Sequence, residues 1–582
     1  MERMRFLIAN KITLILLTTT MIVIGLTRIV LTYDVFWQTW DEPAHVAAGM
    51  EWLDKWQYEY ENFHPPLARI MAALGLFLKG VRGNNESSIW VEGQKILLAN
   101  HEYEKNLTLA RVGILPFFVL ASMVVALWAH LYGGALTCLI SVMLFTTLPA
   151  ILGHAGLATM DMAFAATLAL ALWALDMWLC SPTPIRSAVL GSAAGLAVLS
   201  KFPALIFLPA CAGTMILIYA FGLTKEVPSN LGSVNIVRWI KPAVVASVAG
   251  LAVIWGGYRF SIHWIEAANR PHTMLDRIFG ISGQLHNLAY YILEHSPIPA
   301  PEFVNGLLKF ADRNELGHPD YFLGQVRTNG WWYYFPVLLV FKTPLPFLFL
   351  SVCGLLCLVK QTRTNSPKLR LLSPAVFLFT ILGLSSQTHV NNGTRHVLVV
   401  YPLMAVLAGY GASYSCSLRG RLRLFGRTMV IVLVSWQLAS SLSAHPDYIA
   451  YFNELAGNHP EEIVVDSDLD WGQDLKRLAK ALKSRGIKEL WIKYNGSVFL
   501  TNPEFGLPSI RELQPYQHVS GWIAISVLHL KTGLKKAPYD QFLWLDQFKP
   551  VDKIGKSIWL YNIDGTRGTT PGMPERNRDP TP

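Results

Sequence analysis

The feature that most constrains this chain is the recurrence of apolar runs long enough to cross a bilayer, whose hydrocarbon core of ~30 Å takes about 20 helical residues. The first run covers residues 12 to 31, and others follow near 109–129, 135–153, 162–180, 187–200, 203–222, 242–258, 336–359, 371–386, 397–415 and 428–443. They predict about eleven membrane spans. Residues 187 to 223 are almost continuously apolar, broken only by Ser200, Lys201 and Pro203, which predicts a tight hairpin with Lys201 at its turn. With 52% hydrophobic and 15% charged residues and a mean hydropathy of +0.34, an ordinary soluble enzyme is excluded. No small-residue cleavage site follows the first run, so it reads as a retained helix.

The net charge of +10 is dispersed in short clusters between apolar runs, as topogenic charge is, and not gathered into a nucleic-acid surface. Connections carrying Arg3, Arg5 and Lys11, then Arg186, Lys225, Arg238 and Lys241, then Lys360 to Arg370 and Arg419 to Arg427 alternate with acid-richer ones. The positive-inside rule puts the N-terminus in the cytoplasm and everything after about residue 444 outside. Four cysteines lie inside apolar runs and two at their ends, without a paired spacing, so neither a disulfide framework nor a zinc knuckle is supported.

Three outside segments are long: 32 to 108, 259 to 335 and 444 to 582. Loops of that length carry structure and function of their own. In the first, "HPPLARIMAALGLFLKG" has helical spacing but only about 14 apolar positions, with Arg69 and Lys79 at its edges. It reads as a helix on the membrane surface and not as a twelfth span. The second, 259 to 335, is a candidate lid, with Arg270 as a candidate phosphate contact, and its "RTNGWWYYF" reads as an interfacial aromatic belt. The third changes texture: "EEIVVDS", "IKELWIKYNG" and "GWIAISVLHL" read as strands and "DWGQDLKRLAKALKSRG" as a helix. That pattern predicts a small α/β domain over 444–564, behind the membrane domain of 1–443, with a disordered tail over 565–582.

Asp41 and Glu42 stand just beyond the first span, in "WDEPAH". One reading is a capped helix, since Asp precedes Pro43 in the first turn. The other is a proton acceptor, because neighbouring carboxylates raise one another's pKa. "FHPPLAR" adds His64 and Arg69 to the same loop, Asp161 opens the fourth run, and Arg395 and His396 open a later one. Asp161 is equally a helix-dipole partner and Lys201 equally a snorkelling lysine, yet charge at such depths commonly lines a cavity or holds a ligand. Glu42-Pro-Ala-His45 has the Glu-x-x-His spacing of carboxylate metal sites, but stands without matching partners. "DSDLDWG" departs from a calcium loop in its glycine position and in Arg477. Carboxylates for an acceptor hydroxyl, cations for a phosphate and a membrane for a lipid together describe group transfer from a lipid phosphate.

The segments "WDEPAH", "HPPLAR", "TMDMAF", "AAGLAVLSKFPAL", "NNGTRHVLVVYP" and "DSDLDWGQDLKRL", in this order, resemble the GT-C membrane glycosyltransferases. The likeness is to bacterial relatives of the protein O-mannosyltransferases and, more distantly, to the lipid A aminoarabinose transferases. It implies a polyprenyl-phosphate-linked sugar as donor, inversion at the anomeric carbon and an acceptor that is protein, lipid or glycan. It implies no obligatory cofactor, a divalent metal being the lesser alternative. By the same resemblance Asp41 is the general base with Glu42 beside it, Asp161 is the second acid, and His64, Arg69, Lys201, Arg395 and His396 serve the donor phosphate. The C-terminal domain departs from the β-trefoil of eukaryotic mannosyltransferases, which puts a protein acceptor in doubt. A bacterial cytoplasmic membrane is the implied location. Two rivals share the architecture: a lipid or solute transporter, which internal repeats would favour and none is seen, and a lipid-linked glycan ligase.

Overall fold

The computed structural model describes residues 11–61, 63–221, 237–264, 283–364 and 369–564. Arg270 and the 565–582 tail lie outside the described residues. The architecture is mainly helical. The first helix, α1 (Lys11–Val30), leads into a segment of four helices, α2 (Glu42–Asp54), α3 (Leu67–Leu78), α4 (Ile89–Leu97) and α5 (Tyr103–Val112). Then come α6 (Leu115–Thr146), the short α7 (Pro149–Ala155), α8 (Asp161–Cys180), α9 (Pro184–Ser200), α10 (Ala204–Ala220) and α11 (Val237–Gly257). A second connecting segment holds α12 (Gln284–His295) and α13 (Pro301–Leu316), and α14 (Tyr334–Lys342), α15 (Leu345–Thr364), α16 (Leu369–Ser385), α17 (Val400–Cys416) and α18 (Arg421–Ser443) follow.

Lys11–Val30, Tyr103–Thr146, Asp161–Cys180, Trp239–Gly257 and Arg421–Ser443 are long and apolar enough to cross a membrane, and shorter apolar helices accompany them, among them Pro184–Ser200 and Leu345–Lys360. Their outward faces carry Ile15, Ile24, Leu127, Val248, Leu251, Leu356 and Ile431, all exposed. Water would oppose such a belt, whereas lipid tails accept it. This is a membrane protein.

Two expected spans, 109–129 and 135–153, are joined without a loop in α6. Arg111, just before α6, and the Ala158 amide, beyond α7, both reach Glu42 Oε1, at 2.8 and 2.9 Å. A straight helix of 32 residues would be about 48 Å long, so the chain must double back. It does so at Gly134, whose φ of +75° a side chain would resist, and Phe118 and Phe145 then stack across the two arms at 6.4 Å. The run near 336–359 is likewise divided, into α14 and α15. Thr343 is extended (φ −108°, ψ 134°) because the following Pro344 disfavours helical geometry before it.

The C-terminal part forms a five-stranded sheet in the order β6-β5-β7-β9-β8. A short pair, β1 (Ile262–His263) with β2 (Ile298–Pro299), and a hairpin, β3 (Asp320–Phe322) with β4 (Gln325–Arg327), precede it. The sheet consists of β5 (Glu489–Lys493), β6 (Ser509–Glu512), β7 (Gly521–Ser526), β8 (Asp552–Ile554) and β9 (Ile558–Ile563), with β5 parallel to β6 and β7 and the rest antiparallel. The predicted helix is present as α20 (Leu475–Ser484), after a short α19 (Asp466–Leu469). The strand expected at "EEIVVDS" is not formed. Val464 and Val465 are buried, but the Asp466 carboxylate accepts from the Ser467 amide at 2.7 Å, and such local bonds divert a chain from a sheet ladder. Ala444, Tyr448, Val464, Leu475 and Leu490 pack into the same apolar core as the membrane helices.

Candidate active site

Asp41 and Glu42, adjacent in sequence, diverge in space. Asp41 makes no side-chain cap on α2; its Oδ2 takes Arg395 Nη1 at 2.6 Å, with the two side chains 23% and 16% exposed. Glu42 is fully buried and accepts from Arg111 Nε at 2.8 Å and Nη2 at 3.0 Å, from the Thr39 amide at 2.7 Å and from the Ala158 amide at 2.9 Å. Burial pushes its carboxyl up, but the Arg111 charge and these donors outweigh burial and hold its pKa below the ordinary value. The expected partnership of the two acids is therefore corrected. Glu42 has its acceptor capacity taken by ties between α2, α5 and the segment before α8, and only Asp41 faces the site.

Asp161, first residue of α8, pairs with Lys201 Nζ at 2.8 Å. Lys201 ends α9 in an extended conformation (φ −163°, ψ 136°), so the α9–α10 turn, with Pro203 behind it, delivers the ammonium to the head of α8. Arg395 feels both Asp41 and Asp161: burial works against its charge, the two carboxylates more than offset it, and its pKa is raised. One cluster is thus assembled from the start of α2, the head of α8, the α9–α10 turn and the approach to α17.

Neutral imidazoles line the cluster. His45, His64 and His396 are held well below the ordinary histidine pKa by burial first, and then by the cations around them: Arg69 for His45, Arg69 and Lys201 for His64, Lys201 and Arg395 for His396. His45 and His64 meet edge to face at 6.1 Å and His396 stacks on Phe335 at 6.3 Å. Uncharged rings offer N–H donors to a phosphate without adding charge.

Arg69 does not join the cluster as expected. It is fully buried, and its guanidinium donates to His45 Nδ1 at 3.2 Å, Tyr58 Oη at 3.1 Å and the Glu61 carbonyl at 2.6 Å, and pairs with the Glu61 carboxylate. With these donors committed, it braces the 58–69 loop. Arg313 of α13 takes the outward position instead. It lies over the Phe63 ring at 5.0 Å, it is exposed, and its charge reaches both His64 and His396. Nothing local marked Arg313 in the sequence, since one arginine on an amphipathic loop helix is unremarkable. Trp471, under the Arg395 guanidinium at 4.7 Å, was visible only as part of a motif without a role. Among the described residues no group of three or more His, Cys, Asp or Glu side chains stands ready to hold a metal.

Long apolar helices, a charged cluster at their ends and a C-terminal mixed sheet make up a fold shared with a solved membrane enzyme. The chain matches the S. cerevisiae protein O-mannosyltransferase Pmt1-Pmt2 complex bound to its sugar donor with a TM-score of 0.53 and 10% identity, covering 77% of this chain and 91% of that one. ArnT from Cupriavidus metallidurans bound to undecaprenyl phosphate matches over 95% of this chain and 99% of its own, at 11% identity and a TM-score of 0.45. Archaeoglobus fulgidus oligosaccharyltransferase AglB, in complex with an inhibitory peptide and a dolichol-phosphate, matches over 73% and 56%, at 13% identity and 0.45. No family model matches the sequence, and no curated protein matches it.

Proposed function

We propose that this chain is an inverting glycosyltransferase of the bacterial cytoplasmic membrane, moving a sugar from a polyprenyl-phosphate-linked donor to an acceptor hydroxyl of a protein, lipid or glycan at the outer face. The observation that carries the reading is the juxtaposition of Asp41, tied to Arg395, with the Lys201–Asp161 pair at the heads of apolar helices. In this reading α1, the two arms of α6, α8 to α11 and α15 to α18 are the eleven spans, the N-terminus is cytoplasmic, and the sheet domain is extracytoplasmic. A donor-bound mannosyltransferase complex of the same fold supports a sugar donor as substrate.

Arg395 engages Asp41 Oδ2, so Oδ1 is the oxygen that would take the acceptor proton. As the acceptor O–H gives up that proton, its oxygen forms the new bond to the anomeric carbon from the face opposite the phosphate. The bond from that carbon to the phosphate oxygen breaks, its electron pair stays with the phosphate, and the polyprenyl phosphate leaves. Lys201, Arg313 and Arg395 neutralise the charge that develops, with His64 and His396 donating to the phosphate oxygens. A fixed cationic site in a water-poor cleft stabilises such charge with little reorganisation. The scheme requires no metal.

The test is release of free polyprenyl phosphate by the purified protein from a panel of polyprenyl-phosphate sugars with a mixed acceptor extract. Acceptor-dependent release supports transfer and identifies the sugar. Donor binding without release, with every sugar in the panel, would sink the reading and favour transport.

A further inference from the structure

Arg395 rides on a single 3-10 turn, Thr394–Val397, too short to fix its own orientation. The segment that holds it lies 74 positions further along the chain. Asp468 caps the turn: its carboxylate accepts from the Thr394 amide at 3.1 and 3.2 Å and from Thr394 Oγ1 at 2.6 Å. Ser467 Oγ donates to the Asn392 carbonyl at 3.3 Å, the same carbonyl that takes Arg395 Nε at 3.2 Å. Gly393, at φ +80°, lies so close that a Cβ there would meet Ser467 Oγ at 2.5 Å and Asp468 Oδ2 at 2.9 Å.

Trp471, 3% exposed, touches Arg395 and the residue before Asp41. Its ring lies under the Arg395 guanidinium at 4.7 Å, and its carbonyl accepts from the amide of Trp40, the residue before Asp41, at 2.9 Å. The Trp471 amide is fixed by Gln473 Oε1 at 2.8 Å, His154 closes on the indole at 6.0 Å, and Lys342 Nζ holds the Asp468 carbonyl at 2.8 Å.

Resting on the glycosyl-transfer reading, we infer that Asp468 and Trp471 are positioning residues, through which the C-terminal segment sets the distance and angle between Asp41 and Arg395. The soluble domain thereby contributes directly to turnover, apart from any part in acceptor choice. A buried cation–aromatic contact with a cap holds a guanidinium in one rotamer, and misplacing a charge beside the base is felt in the transition state more than in donor binding.

In purified full-length protein, Trp471→Phe, which keeps an aromatic face, is expected to hold kcat near wild type. Trp471→Leu is expected to lower kcat roughly tenfold at unchanged donor KM. Asp468→Asn, which weakens the cap without opening the core, should follow Trp471→Leu. A cryo-EM map of whichever of these two variants folds should show Arg395 displaced from Asp41. Phe as damaging as Leu, or Arg395 unmoved in that map, would overturn the positioning role. Absence of turnover in the wild type itself would count against glycosyl transfer alone, because the map still reads the position of Arg395.

Discussion

Arg395 Nη1 lies 2.6 Å from Asp41 Oδ2, joining two residues 354 positions apart. The bond pins one carboxylate oxygen and leaves the other directed by the same guanidinium. Replacing Asp41 by Asn keeps the shape and an oxygen for Arg395 but removes the proposed base. The Asp41→Asn protein is expected to bind donor as wild type does and to lose ~10² to 10⁴ in kcat. Single-turnover release of polyprenyl phosphate beside a donor-binding isotherm checks this, and wild-type turnover would remove Asp41 from the mechanism.

Glu42 behaves differently despite being the next residue. Its ion pair with Arg111 is buried, with side-chain exposures of 0% and 1%, and breaking such a pair strands the partner charge at a cost of about 3–5 kcal/mol. Glu42→Gln should therefore lower the melting temperature in detergent while the folded fraction turns over close to the wild-type rate. A large fall in kcat with an unchanged melt would return Glu42 to the chemistry.

Lys201 and Asp161 form a nearly buried pair, 13% and 4% exposed. Lys201→Met leaves Asp161 uncompensated, so stability and donor binding should fall together. Adding Asp161→Asn should recover much of the melting temperature without recovering turnover, because the phosphate still lacks its ammonium. Recovery of both would mean that Lys201 serves only the fold.

Arg313 and Arg69 separate the two uses of arginine in this site. A charge-assisted hydrogen bond contributes about 1.5–3 kcal/mol, so Arg313→Ala should raise the donor KM by about 10- to 100-fold with a wild-type melt. Arg69→Ala should instead destabilise the 58–69 loop and be rescued poorly by Arg69→Lys, which cannot serve four acceptors. Equal melts for both variants would contradict this division.

Asp470 offers a pH test of the C-terminal segment. It is fully buried, and burial pushes its carboxyl up to about 8, although the Leu528 and Gly472 amides donate to it. The folded state thus holds a proton that the unfolded chain releases near pH 4. The associated stability is complete below that pH, declines as pH rises, and is gone once pH passes the folded value of about 8. Asp470→Asn, which cannot ionise, should flatten this decline in melts taken from pH 5 to pH 9. An unchanged slope would show that another group titrates.

The repeated apolar runs, the Lys201 hairpin and the α20 helix were legible because each rests on a local pattern: span length, a Ser-Lys-Phe-Pro break, an i, i+3, i+4 stripe. The break between the runs 109–129 and 135–153 was legible too, but only the structure placed the reversal at Gly134 within one helical stretch.

The sequence by itself determined that this chain enters a membrane, that acids and cations recur at the ends of its apolar runs, and that a segment of strand and helix texture follows. Only the tertiary structure decided which charges meet. It separated Asp41 from Glu42, committed Arg69 to its own loop, brought Arg313 in on α13, and placed Trp471 beneath Arg395. The physical reason is that helical and span periodicities are short-range properties, whereas a buried charge takes whatever partner the packing of distant helices brings within about 3 Å, and no local pattern records that choice.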